Sequence, residues 1–234
     1  MKEFIEKLRT GSLTGDEKII PIYCEYDEPD INRSEVLRYA GFPASVLRAK
    51  GKGKKDDSFC EVPTDEELAK RLDEVIGLAK GQFTYRLSYA CAVLGRDDEG
   101  YPVLPFKQHS DDLKKNLENC RGVIILAATV GAGIDRLIRR YERTEPATGL
   151  LLQGMGAERV ETLVDAFNDE VNRTCDAMGM KAHPRYSPGY GDLPITVQPD
   201  LLKLLEAEKR LGITLNASYM MSPSKSVTAV IGIS

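Results

Sequence analysis

Residues 185–194, RYSPGYGDLP, bring together a guanidinium group, two phenol rings and two glycines in a stretch with no helical or strand periodicity. Arg185 offers a planar fork of N–H donors that suits a carboxylate or a phosphate. Gly189 lets the backbone turn sharply, or lets a ligand come close, because it has no side chain. Tyr190 places an aromatic face beside that gap, and such a face attracts a cation by roughly 0.5 to 2 kcal/mol. Together these groups predict a segment that holds a ligand.

The proline at position 188 makes this segment stiff. Pro188 fixes its own φ and favours an extended conformation for Ser187. A stiff turn with these groups can hold a molecule that carries a carboxylate, a flat ring and a positive centre. S-adenosylmethionine (AdoMet) has all three features, and so do other amino-acid conjugates. The alternative interpretation is a rigid surface turn in which Arg185 forms a salt bridge.

Metal-centred and nucleophilic chemistry find no support in the sequence. No two of the five cysteines have C-x-x-C spacing, which argues against a zinc site, a redox dithiol or an Fe–S cluster. The two histidines, His109 and His183, have no catalytic or metal-binding partner nearby in sequence. We therefore predict no catalytic residue and no metal ligand.

The composition limits the remaining classes of protein. The 234 residues are 42% hydrophobic and 29% charged, which is typical of a globular protein. The net charge of −4 argues against nucleic acid as a partner. No apolar run reaches the ~18 residues of a membrane span, and the first residues do not resemble an export signal. We expect a cytoplasmic protein.

Two glycine pairs resemble nucleotide-binding turns only in part. Gly131 and Gly133 follow an apolar run and precede a helical pattern, but Arg136 occupies the place of the third glycine of a dinucleotide site. We predict a tight turn there, and a break between two helical segments at Gly154 and Gly156. No G-x-x-x-x-G-K-[ST] motif occurs, which excludes a P-loop NTPase.

The hydrophobic pattern predicts both helices and strands around these sites. Strands are expected within 82–94 and over 122–130, and two β-favouring runs near the C-terminus, 213–221 and 226–233, predict a hairpin. Helices are expected over 34–40, from a capping box at Thr64 and Glu67, after the cap Ser110, after Gly133, and over 199–211 with Pro199 in the first turn and Gly212 after the end. The basic run 48–57 predicts a solvated, mobile loop, with a docking patch as the alternative.

The clearest helix precedes the 185–194 segment. Its apolar positions recur at steps of three and four residues and must face a core; they are Val160, Leu163, Val164, Phe167, Val171, Cys175 and Met178. Another face carries Glu161, Asp165, Asn168 and Asn172. We predict a single α+β domain over residues 1–234, with a mainly antiparallel sheet flanked by helices and a C-terminal β-hairpin.

Two motifs in the C-terminal half resemble a known family. Arg185, Gly189, Tyr190 and Pro194 form R-x-x-x-G-Y-x-x-x-P, which resembles the signature of the activation (AdoMet-binding) domain of cobalamin-dependent methionine synthase. A second segment is similar to the family at Leu215, Ser218, Met221, Pro223, Ser226 and Val227. The resemblance covers roughly residues 120–234, and residues 1–110 match only loosely.

The resemblance implies roles for five residues. Arg185 is expected to pair with the carboxylate of AdoMet, and Ser187 and Gly189 to offer backbone groups. Tyr190 is expected to lie near the sulfonium. Glu161 is expected to contribute negative charge to the ligand cleft, and the alternative for it is an acid on a solvated helix face.

The resemblance also implies a mechanism that needs a partner. The family's domain presents AdoMet to an oxidised cobalamin, while an electron arrives from a reduced protein such as flavodoxin or ferredoxin. The sequence has no D-x-H-x-x-G motif of a cobalamin domain, so the cobalamin is expected on a cobalamin-binding methionine synthase or another corrinoid protein. We therefore expect a stand-alone reactivation protein, an accessory component without a complete active site of its own.

Two other functions stay open at this point. The chain ends at Ser234, before the strand that adds a tyrosine to the AdoMet site in longer family members. The first alternative is therefore a docking module for a corrinoid protein that no longer binds AdoMet. The second is an AdoMet methyltransferase for a small molecule, which predicts a glycine-rich strand–turn–helix that this sequence lacks.

Overall fold

A computed structural model of the chain describes residues 1–13, 18–43, 47–49, 61–63 and 66–234. In chain order, the elements of these residues are α1 (Lys2–Thr10), β1 (Ile22–Tyr26), α2 (Arg33–Tyr39), β2 (Leu47–Ala49), β3 (Glu61–Pro63), α3 (Glu66–Ala79), β4 (Tyr85–Val93), β5 (Gly95–Arg96), β6 (Pro102–Val103), α4 (Asp111–Asn116), β7 (Gly122–Thr129), α5 (Gly133–Thr144), α6 (Pro146–Asp176), a 3₁₀ turn (Ile195–Val197), α7 (Gln198–Leu204), α8 (Ala207–Leu211), β8 (Thr214–Leu215), β9 (Met221–Ser222) and β10 (Ser226–Ile233).

An antiparallel sheet of four strands, in the order β1-β4-β7-β10, forms the centre of the molecule. The inner strand β7 is buried along its whole length, which explains its unbroken apolar sequence. The strands β1 and β4 come from the first half of the chain, and β7 and β10 come from the second half. One sheet therefore joins both halves, and the predicted α+β class with an antiparallel sheet flanked by helices is confirmed.

Helices cover both faces of this sheet. Alternate residues of β7 point to opposite faces: Ile124 packs in one core with residues of α2, α3, α5 and α6, while Ile125 packs in another with residues of α4, α7 and α8. The apolar stripe of α6 faces the first core, where Phe167 is only 1% exposed and its ring centroid lies 5.1 Å from that of Tyr89. Met178 lies beyond the end of α6 and is partly buried.

Several local signals in the sequence predicted the ends of helices correctly. The hydroxyl of Ser110 accepts a hydrogen bond of 3.0 Å from the backbone N–H of Leu113 and caps α4. Pro199 lies in the first turn of α7. Gly212 follows α8 with φ of 70°, a left-handed conformation that favours glycine.

The predicted break at Gly154 and Gly156 is wrong, because both glycines lie inside the continuous helix α6. Their role is close packing. A Cβ atom on Gly154 would lie 2.3 Å from the carbonyl oxygen of Val36 in α2, and one on Gly156 would lie 2.9 Å from the side chain of Lys225. The two glycines therefore let neighbouring backbone and side chains approach α6 where another residue would clash.

The predicted helix over 199–211 is divided into α7 and α8. Glu206 adopts a left-handed conformation with φ of 49° between them. The carbonyl of Leu205 accepts a hydrogen bond of 2.9 Å from the hydroxyl of Ser88 in β4, so that a sheet residue replaces its helical partner. Both Leu205 and Ala207 are fully buried on either side of the break.

The C-terminal hairpin is present, but its pairing differs from the prediction. Residues 214–222 form a short hairpin in which β8 pairs with β9. The run 226–233 forms β10, which pairs with β7 along the main sheet rather than with the preceding run. A long apolar strand gains more by burial at the centre of the fold than by pairing with a short exposed hairpin.

Two predictions lie outside the described residues, namely the cap at Thr64 and most of the basic run, over 50–57. At its flanks β2 and β3 pair with each other. Among the described residues, no helix is both long and apolar enough to cross a membrane.

Candidate functional site

The segment before the predicted binding loop runs beside β10. Bridges join Ala182 to Ile233 and Tyr186 to Val230 in antiparallel register. Because the second sequence motif continues into β10, this pairing brings the two motifs together in space. The loop 185–194 therefore begins at the edge of the main sheet.

Arg185 points from this edge to the polar face of α6. Its Nη2 atom lies 2.9 Å from Oδ1 of Asp165 and 3.4 Å from Oε2 of Glu161. The other terminal nitrogen, Nη1, is buried and has no hydrogen-bond partner within the described part of the chain. One terminal nitrogen of the guanidinium, Nη2, is therefore paired with carboxylates, while the other, Nη1, is a donor without a partner in the described part of the chain.

Glu161 has an unusual electrostatic environment. Burial raises the pKa of its carboxyl group, and the nearby carboxylate of Asp165 raises it further, whereas Arg185 and Arg38 oppose this shift. Desolvation is the largest of these effects. A positive group placed beside Glu161 would therefore stabilise its ionised form.

The C-terminal end of α2 also borders this cluster. The guanidinium of Arg38 stacks over the ring of Tyr39 at 4.0 Å from the ring centroid, and it also binds Glu35. Burial raises the pKa of Tyr39, and the charge of Glu161 raises it as well. The sequence assigned no role to Arg38, Tyr39 or Asp165, although Asp165 stands one helical turn after Glu161 on the same face.

The turn itself is closed by its own backbone. The N–H of Gly189 donates to the carbonyl of Leu193 at 2.8 Å, and the N–H of Tyr190 donates to the carbonyl of Ser187 at 3.1 Å. Gly189 has φ of 86°, which side chains with a Cβ atom rarely adopt. The predicted turn at this glycine is therefore confirmed by its conformation.

Asp192 anchors the far side of the loop to α4. Its carboxylate accepts hydrogen bonds from the N–H of Asp111 at 2.7 Å, from the N–H of Asp112 at 3.3 Å, and from the hydroxyl of Ser110. The bond from Ser110 is the largest of the effects that hold the pKa of Asp192 below its ordinary value. Asp192 is the single acid of residues 185–194, and only the fold shows that it caps α4, a helix far away in sequence.

Tyr190 is an exposed residue of the loop, with 72% of its surface accessible. Its ring meets the ring of Tyr186 edge-on at a centroid distance of 6.2 Å, and the Tyr186 hydroxyl donates to the Tyr190 carbonyl at 3.3 Å. The aromatic face is thus available to a ligand but is not enclosed. Surface cavities of about 800, 450 and 520 Å³ are lined by other residues.

The second motif is held by α5 and α6. Asp135 of α5 accepts two hydrogen bonds of 2.7 Å, from the N–H and the hydroxyl of Ser224. Lys225 donates to Gln153 of α6 at 2.7 Å, and burial lowers the pKa of this lysine. The hydroxyl of Ser226 donates to the carbonyl of Pro223 at 2.8 Å. The turn between β9 and β10 is therefore fixed against the helices.

The predicted site residues fall into two groups. Arg185 forms salt bridges with Glu161 and Asp165, a pairing that the sequence raised only as the alternative interpretation of this loop. Ser187, Gly189 and Tyr190 lie in the adjoining turn. Within the described ranges, no group of three or more histidine, cysteine, aspartate or glutamate side chains is arranged to hold a metal ion.

Comparison with known proteins identifies the family. No curated protein matches the chain. Among solved structures, the crystal structure of the MetH reactivation domain bound to AdoHcy is similar, with a TM-score of 0.62 and 14% sequence identity over 91% of this chain and 78% of that one. At this identity the likeness shows the fold. The model of the family described as vitamin B12 dependent methionine synthase, activation domain, matches residues 106–233, which is more than half of the sequence. The chain belongs to this family of methionine synthase activation domains.

Proposed function

We propose that this protein binds AdoMet at the loop 185–194 and presents its methyl group to a cobalamin carried by a partner protein. In this proposal it acts in the cytoplasm as a separate polypeptide that returns an oxidised cobalamin-dependent methionine synthase, or another corrinoid protein, to its active state. Membership of the activation-domain family supports the proposal, and so does the AdoHcy bound to the similar reactivation domain.

The observation that carries the proposal is the free donor of Arg185. A buried N–H group without a partner is costly, so such groups in folded proteins indicate a missing ligand or water. Nη1 of Arg185 is such a group, while Nη2 is held by Asp165 and Glu161. The carboxylate of AdoMet would satisfy Nη1 with a charge-assisted hydrogen bond.

The acids around Arg185 fit the positive parts of the same molecule. AdoMet carries an ammonium group and a sulfonium, and two carboxylates, Glu161 and Asp165, lie beside the guanidinium. Burial disfavours the ionised form of Glu161, and a cationic ligand paired with it would offset this effect and favour that form. The cluster thus offers one free cationic donor and two anionic groups, in the combination that a zwitterionic amino acid with a further positive charge requires.

The turn supplies backbone groups and an aromatic face. The carbonyl of Ser187 and the N–H of Gly189 are used inside the turn. Among the described residues, the N–H of Ser187 and the carbonyl of Gly189 have no such partner and can contact the ligand. Tyr190 would cover the ligand from the solvent side and place its ring near the sulfonium.

The contribution of this chain to the reaction is position. AdoMet supplies an electrophilic methyl group. With a cobalamin-loaded partner in place, one electron from a reduced flavodoxin or ferredoxin and the methyl group of AdoMet would together convert cob(II)alamin to methylcobalamin, and AdoHcy would be left. Holding two reactants in line can contribute roughly 7 to 11 kcal/mol, and Arg185, Glu161 and Tyr190 would fix the methyl group in this direction.

Titration calorimetry with AdoMet and AdoHcy tests the binding step. We expect one site per chain for each ligand, with a negative heat-capacity change from the burial of the ligand's apolar surface. A second assay records the appearance of methylcobalamin on a cob(II)alamin-loaded methionine synthase with a reductant and AdoMet. Absence of binding of either ligand would contradict the proposal.

One observation favours a second function. The site residues do not line any of the three surface cavities, and Tyr190 is largely exposed. An open surface of this kind is also what a docking module for a corrinoid protein would present. In that case the partner would bind in the same assay mixture, while calorimetry would show no heat with AdoMet.

A further inference from the structure

The outer face of α5 carries four arginines, which we call the arginine stripe. They are Arg136, Arg139, Arg140 and Arg143, and all four are exposed. With 3.6 residues per turn and a rise of 1.5 Å per residue, they occupy a band about 100° wide and about 10 Å long. The buried side of the helix, with Ile134 and Ile138, lies opposite.

No guanidinium of the arginine stripe pairs with a carboxylate among the described residues. The acids of α5 are engaged elsewhere: Asp135 binds Ser224, and Glu142 accepts a hydrogen bond from Gln153. The one contact within the stripe is between Arg140 and the ring of Tyr141, at 5.7 Å from its centroid. Within the described part of the chain, the four positive charges are thus left without a carboxylate partner.

This arrangement works against the helix that carries it. The arginines stand three or four residues apart, so they form four like-charge pairs, and each such pair destabilises a helix. Arg136 also lies near the N-terminal end of α5, where the helix dipole disfavours a cation. All four cations are arginine and none is lysine. Arginine is enriched and lysine is depleted at protein interfaces. The planar guanidinium can bind one carboxylate through two parallel hydrogen bonds, which an ammonium group cannot do.

We infer that the arginine stripe docks a carboxylate-rich surface of the corrinoid protein on which this chain acts, an inference that rests on the proposed function. Helix α5 packs along α6, which carries Glu161, and Asp135 holds the turn of the second motif. An interface of ordinary size buries about 800 Å² on each partner, so a partner seated on the site would extend over the elements next to α6. The protein that brings its cobalt to the site must contact the elements around it, whereas an electron donor needs only to approach the cobalt.

The charge distribution favours a protein over an extended polyanion. The whole chain carries a net charge of −4, and Asp135 and Glu142 flank the stripe on one side of α5. A nucleic acid or an anionic membrane would meet these acids as well as the arginines. A compact acidic patch on a protein can match a band of about 10 Å without that repulsion.

The test compares two variants that remove the same charge. In the stripe variant, all four arginines become glutamine (R136Q, R139Q, R140Q and R143Q). In the control variant, four exposed cations elsewhere become glutamine (K70Q, R71Q, K203Q and K209Q). Binding to cob(II)alamin-loaded methionine synthase is measured by surface plasmon resonance at 50 and 300 mM salt. The melting temperature of the stripe variant should not fall, because like-charge repulsion is removed.

We expect the stripe variant to bind at least tenfold more weakly at 50 mM salt, with a smaller salt dependence, and the control variant to stay within twofold of the wild type. AdoMet affinity should be unchanged in both. Equal binding by the wild type and the stripe variant would overturn this inference and leave the proposed function standing. A wild type that binds no corrinoid protein would overturn both. Loss of binding only to a 20-nucleotide DNA or to phosphatidylserine vesicles would assign the stripe to a polyanion instead.

Discussion

The main chains of Tyr186 and Val230 exchange two hydrogen bonds, of 2.9 and 2.8 Å. Because neighbouring residues of an extended segment point to opposite faces, this pair also sets the direction of Arg185. Tyr186 packs on the side of α4 and α7, and Arg185 reaches the acids of α6 on the other side. The edge of the sheet therefore aims the guanidinium, while the turn that follows is fixed by its own hydrogen bonds beside it.

Replacing Arg185 with alanine tests whether its guanidinium binds the ligand. Arg185→Ala should weaken AdoMet binding by roughly 1.5 to 3 kcal/mol, the range of a hydrogen bond to a charged group. Arg185→Lys should recover only part of the loss, because lysine keeps the charge but not the fork. The far-UV spectrum should not change, since the helices and strands do not depend on this side chain. The affinities are measured by calorimetry.

The matched control is Arg173→Ala, which removes an exposed arginine of α6 whose side chain donates to the backbone carbonyl of Asp169 in its own helix. Its AdoMet affinity should equal that of the wild type. An Arg185→Ala protein that binds AdoMet as tightly as this control would remove Arg185 from the proposed site.

The predictions from sequence succeeded where the signal was local. The cap at Ser110, the turn at Gly189 and the buried strand β7 each depend on residues close together in the chain, and the structure confirms all three. The family resemblance selected Arg185 and Glu161 as separate site residues, and only the structure shows that the two side chains are in contact.

The predictions failed where a distant part of the fold decided the outcome. Gly154 resembles a helix breaker, but a glycine is needed there because the backbone of α2 packs directly on this position of α6. The helix break at Glu206 depends on Ser88, a residue of the sheet. Asp192 caps α4 from the other side of the loop. None of these contacts leaves a pattern in the residues around it.

The packing of α6 gives a prediction about stability. Phe167→Ala should lower the free energy of unfolding by about 3 to 5 kcal/mol, because it leaves a cavity in a core where the side chain is 1% exposed. Urea denaturation followed by circular dichroism measures the loss. Leu150→Ala, at an exposed position of the same helix, should cost little. A loss below about 1 kcal/mol for Phe167→Ala would mean that the stripe of α6 does not form the core.

The environment of Glu161 predicts how AdoMet binding depends on pH. Burial raises the pKa of Glu161 above its ordinary value of 4.5 in the free protein. A cationic ligand favours the ionised form, so AdoMet binding should release protons and become tighter as the pH rises through the raised pKa. Glu161→Gln should remove this dependence and weaken binding at pH 7 about two- to fivefold, the range of a partly exposed ion pair.

The stability of the free protein should depend on pH in the opposite direction from AdoMet affinity. Since folding favours the protonated form of Glu161, the unfolding free energy contributed by this residue falls as the pH rises from 4.5 through the raised pKa. Glu161→Gln should flatten that fall of the unfolding free energy with pH.

Calorimetry in two buffers of different ionisation enthalpy counts the protons that AdoMet binding releases. If wild type and variant release equal numbers, Glu161 does not face the cationic part of the ligand.

The link between Asp192 and α4 predicts that the loop and this helix depend on each other. Asp192→Ala removes the acceptor for the N–H groups of Asp111 and Asp112, so it should lower the melting temperature and weaken AdoMet binding several-fold. The pKa of Asp192 is lowered, so its contribution to stability exists above the ordinary value of 3.8 and disappears as the pH falls through the lowered one. The difference in melting temperature should therefore shrink in acid. Asp176→Ala, an exposed acid at the end of α6, is the control, and an equal effect of both changes would contradict the anchoring role.

Gly189 offers a test of the whole proposed reaction. Mixed with cob(II)alamin-loaded methionine synthase, a reductant and AdoMet, the wild-type protein should speed the appearance of methylcobalamin in spectra recorded over time. Gly189→Val should abolish this acceleration, because a β-branched residue at φ of 86° strains the turn and brings its Cβ within 3.3 Å of Ile195, next to the proposed ligand. Gly179→Val is the matched control, since Gly179 also has a positive φ, of 67°, but lies in the turn after α6 with nothing within 4 Å of an added Cβ. The control shares the backbone strain and should keep the acceleration. If both variants lose it equally, strain alone explains the loss. If methylcobalamin forms at the same rate with and without the wild-type protein, on a partner shown to bind it, the reactivation function is wrong and the docking function takes its place.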